Sequence, residues 1–599
     1  MKLSDYVIDC LAGAGVRHIF MVPGGGAMHL VDSVGRSERV QYVCNLHEQA
    51  CAIAADAYGQ YTNRFGAALV TTGPGGTNAV TGVAAAWLDS TPCIFISGQV
   101  KRADIKGDLG VRQLGFQEID IVKMVSSITK YAITVLDPGT IRYHMEKAIF
   151  LGRSGRPGPV WIDIPLDVQA AQIEPARLAG FQPDNGDRPA NSAALSQKVA
   201  QAIELLNSAE RPVVLVGNGV RLADGIPEFL ELIEALRLPV LTSWKALDFL
   251  AEDHHLYAGR PGSVGQRGAN FTLQNSDFLL CLGARLDFGQ IGYSHRNFAR
   301  AAKKVMVDVD PSEIEKLATS VDLPVHADAK DFLSEMLTHR AEFSRERSAW
   351  LKQAMQWKKK YPVILPKYWD QSQFVNNYVL IQVLGEEMRS DDLLVPGSSG
   401  ACSEITMQAF AVKDGIRVQN SEGLGPMGFG IAASIGACLA SGGKRTICIE
   451  GDGGFQMNSQ ELETVRRLKL PIKIFVLNND GYGSIRSTQR NYFDSRFVGS
   501  SPAGGLTLPD TSKIADAYGI GKTRACDHAS LRGTIRAVLA TDGPMVCEVM
   551  ISPEQFTSPR VSSMQRPDGT MVSKPMEDLW PFLEREEFLA NMIVQPLEE

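Results

Sequence analysis

Short apolar runs that end in glycine recur from one end of this chain to the other. "HIFMVPGGGA", "AALVTTGPGG", "PCIFISGQV", "RPVVLVGNGV", "FLLCLGARLD", "DLLVPGSSGA", "TICIEGDGGF" and "IKIFVLNNDGYG" each read as a buried strand running out into a turn. Helical patterns lie between them. Strand, tight turn and helix in alternation is the mark of parallel sheets covered by helices, so an α/β chain is expected. With 599 residues the chain is too long for one core, and length alone argues for roughly three or four domains. The blocks fall at residues 1–175, 190–345 and 370–555, with a polar tail over 556–599. "QPDNGDRPANSA" separates the first two, and "EFSRERSAWLKQAMQWKKKYP" reads as a solvated helical connector before the third. Three doubly wound domains of similar layout point to a duplicated architecture.

Composition narrows the classes. A formal net charge of −7 without any Lys/Arg-rich block argues against nucleic acid. No apolar run approaches the ~18 residues of a membrane span. The start, "MKLSDYVIDCLAGAGV", reads as an amphipathic helix and not as a signal peptide. Ten cysteines lie scattered without CxxC pairs, as expected of reduced core residues in a cytoplasmic protein.

The chemistry starts at Asp452, a carboxylate set between glycines where a strand leaves the core. After it, "QMNSQELETVRRLKL" reads as one helix with Asn458 and Glu461 as a capping-box-like pair. The next strand ends in Asn478 and Asn479. Asp452 and Asn479 are therefore expected at the carboxyl ends of two parallel strands, the edge where open α/β sheets bind ligands. A carboxylate, an amide oxygen and a free carbonyl suit Mg²⁺ or Ca²⁺. Adjacent glycines and a helix N-terminus suit an anion. Either piece alone reads equally well as a tight turn.

"GDG", then 24 residues, then "NN" resembles the signature of thiamine-diphosphate enzymes. The resemblance implies that Asp452, Asn479 and the backbone of Gly481 bind Mg²⁺, with Gly453 and Gly454 along the diphosphate. "NLHEQACAIAADAYGQ" resembles the segment that carries the activating acid, which assigns Glu48 to the aminopyrimidine. "EGLGPMGFGIAASIGA" resembles "GLGTMGFGLPAAIGA", which makes Met427 the apolar wedge under the cofactor and gives Gly425 a carbonyl that accepts from its aminopyrimidine. In such enzymes these two ends come from different subunits, implying a homodimer or homotetramer.

The resemblance covers nearly all of residues 1–555 and is nearest to acetolactate (acetohydroxyacid) synthases. "TTGPGGTNAVTGVAAAWLDSTPCIFISGQV", "GFQEIDIV", "SITKYAITV" and "SGRPGPVWIDIPLDV" carry it. It implies that pyruvate loses CO₂ and that the remaining two-carbon unit passes to an acceptor carbonyl. Phe116, Gln117 and Lys130 become pocket candidates, and Gly25 and Gly26 let backbone approach the substrate; His29 stays unassigned. In the middle block, Arg156, Gly217, Gly219, Gly283, Arg285, Asp308 and Asp328 match FAD-contacting positions, although carboligation needs no redox step.

The chain departs from that pattern in four places. "PGSSGACSEI" replaces the synthases' diphosphate segment, leaving Gly397, Ser398, Ser399 and Gly400 to serve the diphosphate. "NNDGYGSIRSTQ" puts Ser484 and Thr488 where larger residues select the acceptor, which makes that pocket wider and more polar. Leu286-Asp287-Phe288-Gly289-Gln290 lacks a flavin-side arginine. The tail resembles synthase-like proteins of surface-polysaccharide biosynthesis, including flavin-containing carboligases acting on nucleotide-linked keto-sugars. An acetyl transfer of that kind, and a pyruvate oxidase or 2-oxo acid decarboxylase, are the alternatives.

Overall fold

The computed structural model describes every residue except 184–191, 294, 317–320, 344–345, 399, 566–567, 569–570 and 598–599. Three six-stranded parallel sheets carry it, as the alternation predicts. The first holds β1 (His18–Met21), β2 (Gln41–Cys44), β3 (Gly66–Val70), β4 (Cys93–Gln99), β5 (Tyr131–Thr134) and β6 (Val160–Pro165), in the order β2-β1-β3-β4-β6-β5. The second holds β7 (Pro212–Val216), β8 (Val240–Thr242), β9 (Tyr257–Gly259), β10 (Phe278–Leu282), β11 (Lys303–Asp308) and β12 (Leu323–His326), ordered β12-β11-β10-β7-β8-β9. The third holds β13 (Leu393–Pro396), β14 (Arg417–Val418), β15 (Thr446–Gly451), β16 (Ile472–Asn478), β17 (Gly521–Ala525) and β18 (Met545–Met550), ordered β14-β13-β15-β16-β18-β17.

The first and third sheets thus share one strand order. The middle one follows the dinucleotide-binding order, 3-2-1-4-5-6 when its own strands are counted in sequence. This corrects the expectation of one duplicated layout: alternation reports parallel strands and says nothing about which strand lies beside which.

The outer units meet through two helices, Glu48–Thr62 and Phe429–Ala440. Small residues allow the approach. A Cβ on Gly436 would stand 2.0 Å from the Ala54 carbonyl oxygen, so only glycine fits.

Three further expectations change. The connector helix Ser348–Lys360 buries Trp350, Ala354 and Trp357, and its indoles donate to the Pro212 carbonyl (3.0 Å) and Asn591 Oδ1 (2.8 Å). It is a packed element with one wet face. The tail is likewise anchored: Val561, Met576, Leu579 and Phe588 join the core of the middle unit. Buried Glu577 there accepts from Gln274 (2.7 Å) and Arg300 (2.7 Å). Finally, the helix after Asp452 breaks into Asp452–Met457, Ser459–Glu461 and Leu462–Arg467. Glu461 forms no capping box; it accepts from Asn45 Nδ2 (2.8 Å) and the Leu46 amide (2.9 Å), tying the outer units together.

Candidate active site

The third sheet's order reverses between β13 and β15, and a crevice opens at the carboxyl ends of such strands. β15 pairs β16 up to Gly451↔Leu477, so Asp452 and Asn479 leave the sheet close together. Asp452 is 4% exposed. Its Oδ2 accepts from the amides of Asn479 (3.1 Å) and Gly481 (3.0 Å), and its Oδ1 from Gly453 N–H (2.8 Å). Burial pushes its pKa up to about 6 against those three donors. Beside it, Asn479 Oδ1 is buried with no partner among the described residues. Arg486 fixes the loop by donating to the carbonyls of Asn479 (2.6 Å) and Asp480 (2.9 Å). A buried carboxylate and an orphaned amide oxygen are both costly, and one divalent cation would offset both. The residues fit the metal.

The surrounding cleft holds about 1510 Å³, with Met427, Gly453, Gly454, Ser484 and Thr488 on its walls. Beneath the glycine turn lies Glu450, a residue that the sequence reading passes over. Its carboxyl fills the space that a Cβ would need at Gly397 (2.3 Å), Gly454 (2.3 Å) and Gly430 (2.6 Å). It accepts from the Gly430 amide at 2.8 Å, and burial pushes its pKa up to about 7. Three glycines thus make room for one acid. The available signal was a charge at the last-but-one position of an otherwise apolar strand. Gly453 is required for a different reason: the Tyr482 ring would lie 2.3 Å from its Cβ. Ser398 Oγ is buried and has no partner among the described residues, as a hydroxyl reserved for an anion would be, and the Ser398 carbonyl lies 3.0 Å from a Cβ on Gly425. Ser399 lies outside the described residues.

Glu48 opens its helix at the edge of the first sheet and is 9% exposed. Its Oε2 accepts from Asn78 Nδ2 at 3.0 Å, and its Oε1 lies 3.6 Å from the Cβ position of Gly75. Thr71 fits between Gly24 and Gly75, and Thr72 sits against Gly26. Both threonine hydroxyls are buried without a partner among the described residues. Gly25 has open space around it, and the Gln117 carbonyl covers Gly73. Phe116 is 86% exposed, close in sequence to the exposed Leu109, Val111 and Leu114. No residue of the first unit lines the cleft around Asp452. A single chain therefore gathers the metal-binding end and leaves the acid elsewhere. The Lys130 ammonium donates to the carbonyls of Ser154 (2.5 Å) and Arg156 (2.7 Å).

Residues 1–124 match the thiamine pyrophosphate enzyme N-terminal TPP binding domain, 199–336 the central domain and 398–549 the C-terminal TPP binding domain. The chain belongs to the thiamine pyrophosphate enzymes. It is 33% identical to an acetolactate synthase large subunit of Cyanidium caldarium, over 93% of this chain and 94% of that one. An acetolactate synthase of Arthrospira platensis is 32% identical over 93% and 95% of the two chains, and a large subunit from Lactococcus lactis 31% over 93% and 94%.

This thiamine pyrophosphate enzyme has a second cleft, of about 960 Å³, where all three units meet. It lies at the switch point of the middle sheet, between β7 and β10, where the amides of Gly217 and Gly219 donate to Leu282 (2.9 Å) and Gly283 (3.0 Å). Arg156, Gly217, Gly219, Gly283, Arg285, Asp308 and Asp328 all line it. Arg156 pairs with Asp310 (3.0 Å) and Glu313 (2.6 Å), and Arg285 with Asp287 (3.0 Å). Burial raises Asp308 to about 6, and Asp328 caps helix Ala329–Thr338. Arginines beside glycine turns, with carboxylates near strand ends, fit a dinucleotide such as FAD. Glu422 also lines this cleft and went unnoticed in the sequence; burial, then Asp287 and Asp89, push its pKa up to about 8.

Proposed function

We propose that this enzyme decarboxylates pyruvate and passes the remaining two-carbon unit to an acceptor carbonyl. The observation that carries the reading is the unpartnered Asn479 Oδ1 beside the buried Asp452 carboxylate. Asp452, Asn479 and the Gly481 carbonyl would hold Mg²⁺, and Ser398 Oγ would donate to the diphosphate. Bound thiamine diphosphate supplies the nucleophilic carbon and the electron sink that loss of CO₂ requires.

The chain's own part is placement and proton handling. Glu48 holds or releases a proton at Oε1 while Asn78 steadies Oε2. Met427 gives the cofactor an apolar ledge, and Gly25 and Gly26 leave backbone open to pyruvate. Leu477, Ile485 and Ile551 make part of the cleft wall apolar, which favours a step that removes charge. Ser484 and Thr488 stand on the acceptor side, exposed on helix Gly483–Tyr492. FAD in the second cleft would serve a structural role. The enzyme works as a homodimer or a larger assembly, supported by the separation of Glu48 from the Asp452 cleft and by the exposed Phe116 segment.

The test is CO₂ release from pyruvate by protein supplied with Mg²⁺ and thiamine diphosphate. Glu48→Gln should lower it by about a hundredfold or more with cofactor binding intact. Full activity in that variant would remove the mechanism.

A further inference from the structure

Three backbone segments that carry expected cofactor residues belong to different elements of the third unit. Gly397 and Ser398 follow β13, Gly430 lies in the first turn of helix Phe429–Ala440 just after Met427, and Gly454 lies in helix Asp452–Met457. All three converge on one side chain. Glu450, 2% exposed, is the last residue but one of β15. Its Oε1 is the atom nearest to a Cβ at both Gly397 and Gly454 (2.3 Å each), and its Oε2 is the nearest at Gly430 (2.6 Å). Oε2 also accepts from the Gly430 amide (2.8 Å), and Oε1 from the Gly451 amide (3.2 Å).

A side chain at position 397 or 454 would have to displace that carboxyl. The sequence expects both glycines to be bare for the diphosphate, but the structure gives a nearer cause. At each of them the three closest atoms all belong to Glu450. At Gly454 these are Oε1, Cδ and Cγ, the last at 3.6 Å. Without the Glu450 side chain, a methyl group there would meet nothing closer than ordinary van der Waals contact. Gly453 is different, since Tyr482 and Met427 are its neighbours. Backbone groups that hold an anion work only at a fixed spacing, and one carboxyl touching three segments sets that spacing.

Resting on the reading that Mg²⁺ and thiamine diphosphate bind at Asp452, we infer that Glu450 is a positioning residue of that site, a spacer that sets Gly397, Gly430 and Gly454 relative to one another and is itself the reason that positions 397 and 454 are glycine. It acts through the backbones it touches. Gly397 leads into Ser398, Gly430 ties down the segment that carries Met427, and Gly454 belongs to the helix that opens on Asp452. The role needs reach and two acceptor atoms; it does not need contact with the cofactor.

Full-length protein freed of thiamine diphosphate is titrated calorimetrically with that cofactor in the presence of Mg²⁺. Glu450→Asp keeps the charge but draws the carboxyl back by one methylene, and it should weaken binding by about tenfold or more. Glu450→Gln keeps the reach and one acceptor, and it should stay within about threefold of wild type. At saturating cofactor the pyruvate KM should be the same in both; a KM that rises in step with the cofactor Kd would reduce Glu450 to general support and overturn the inference. Gly454→Ala should cost about tenfold or more in the wild type and in Glu450→Gln, yet less than about twofold relative to Glu450→Ala alone, because its methyl then enters vacated space. Should Glu450→Ala fail to fold, Glu450→Asp takes its place, and the cost of Gly454→Ala should shrink there too. An equal cost in every background would assign the glycine to the cofactor, and Glu450→Gln binding as weakly as Glu450→Asp would assign the role to charge; either result overturns the spacer. Wild type that binds no thiamine diphosphate sinks the site itself, whereas binding with equal costs sinks only the role of Glu450.

Discussion

At the scale of single residues, buried polar groups divide into those that await a ligand and those whose needs the fold already meets. Asn479 Oδ1 and Ser398 Oγ have no partner among the described residues, so their value appears only with cofactor. Asn479→Ala should leave folding intact and weaken Mg²⁺-dependent thiamine diphosphate binding by about tenfold or more, read by cofactor fluorescence quenching. Asp163 is the opposite case. It is fully buried and accepts from Ser97 (2.5 Å), Thr134 (3.0 Å) and Gln99 (3.2 Å), yet burial still raises its pKa from 3.8 to about 7. Between those values the folded chain binds more protons than the unfolded chain, so stability falls as pH rises. Asp56 and Glu450, also raised to about 7, add slopes of the same sign. Asp163→Asn should flatten, without abolishing, the fall in melting temperature between pH 5.5 and 7.5. An unchanged slope would mean that this acid is ionised throughout.

At the scale of elements, what the sequence shows depends on how far away a residue's partner lies. The turn at Gly451–Gly454 was legible because glycine and a strand end are local signals, and the Asp452–Asn479 pairing followed from two neighbouring strands. Glu461 was misread because its partners, Asn45 and Leu46, come from the other end of the chain. The Trp350–Trp357 face of the connector helix was lost among its charges. Gly436 is the same lesson in packing, an ordinary helix glycine until helix Glu48–Thr62 is laid against it. Gly436→Ala must push backbone from backbone, because the obstacle is the Ala54 carbonyl and not a flexible side-chain end. We expect a loss of about 1–3 kcal/mol, the usual range for overpacking, in denaturant unfolding. The pair also carries Glu48 at one end, so cofactor binding should weaken too.

At the scale of the whole molecule, the strand orders explain why there are two clefts and why one of them is incomplete. Sheets one and three reverse at equivalent places and present one half-site each, the Glu48 edge and the Asp452 edge. The helices that join them within a chain are packed back to back, and the first unit contributes nothing to the Asp452 cleft. If two copies complete each other's half-sites, two dead variants can repair one another. Glu48→Gln spoils one edge and Asp452→Asn the other, so each pure protein should be inactive. In a twofold dimer carrying one of each, one site receives both damaged edges and the other receives both intact ones. Random re-pairing makes half of the dimers mixed, so dissociating and remixing the variants should restore about a quarter of wild-type CO₂ release. A site built within one chain predicts no recovery at any mixing ratio, since every chain then carries its own defect.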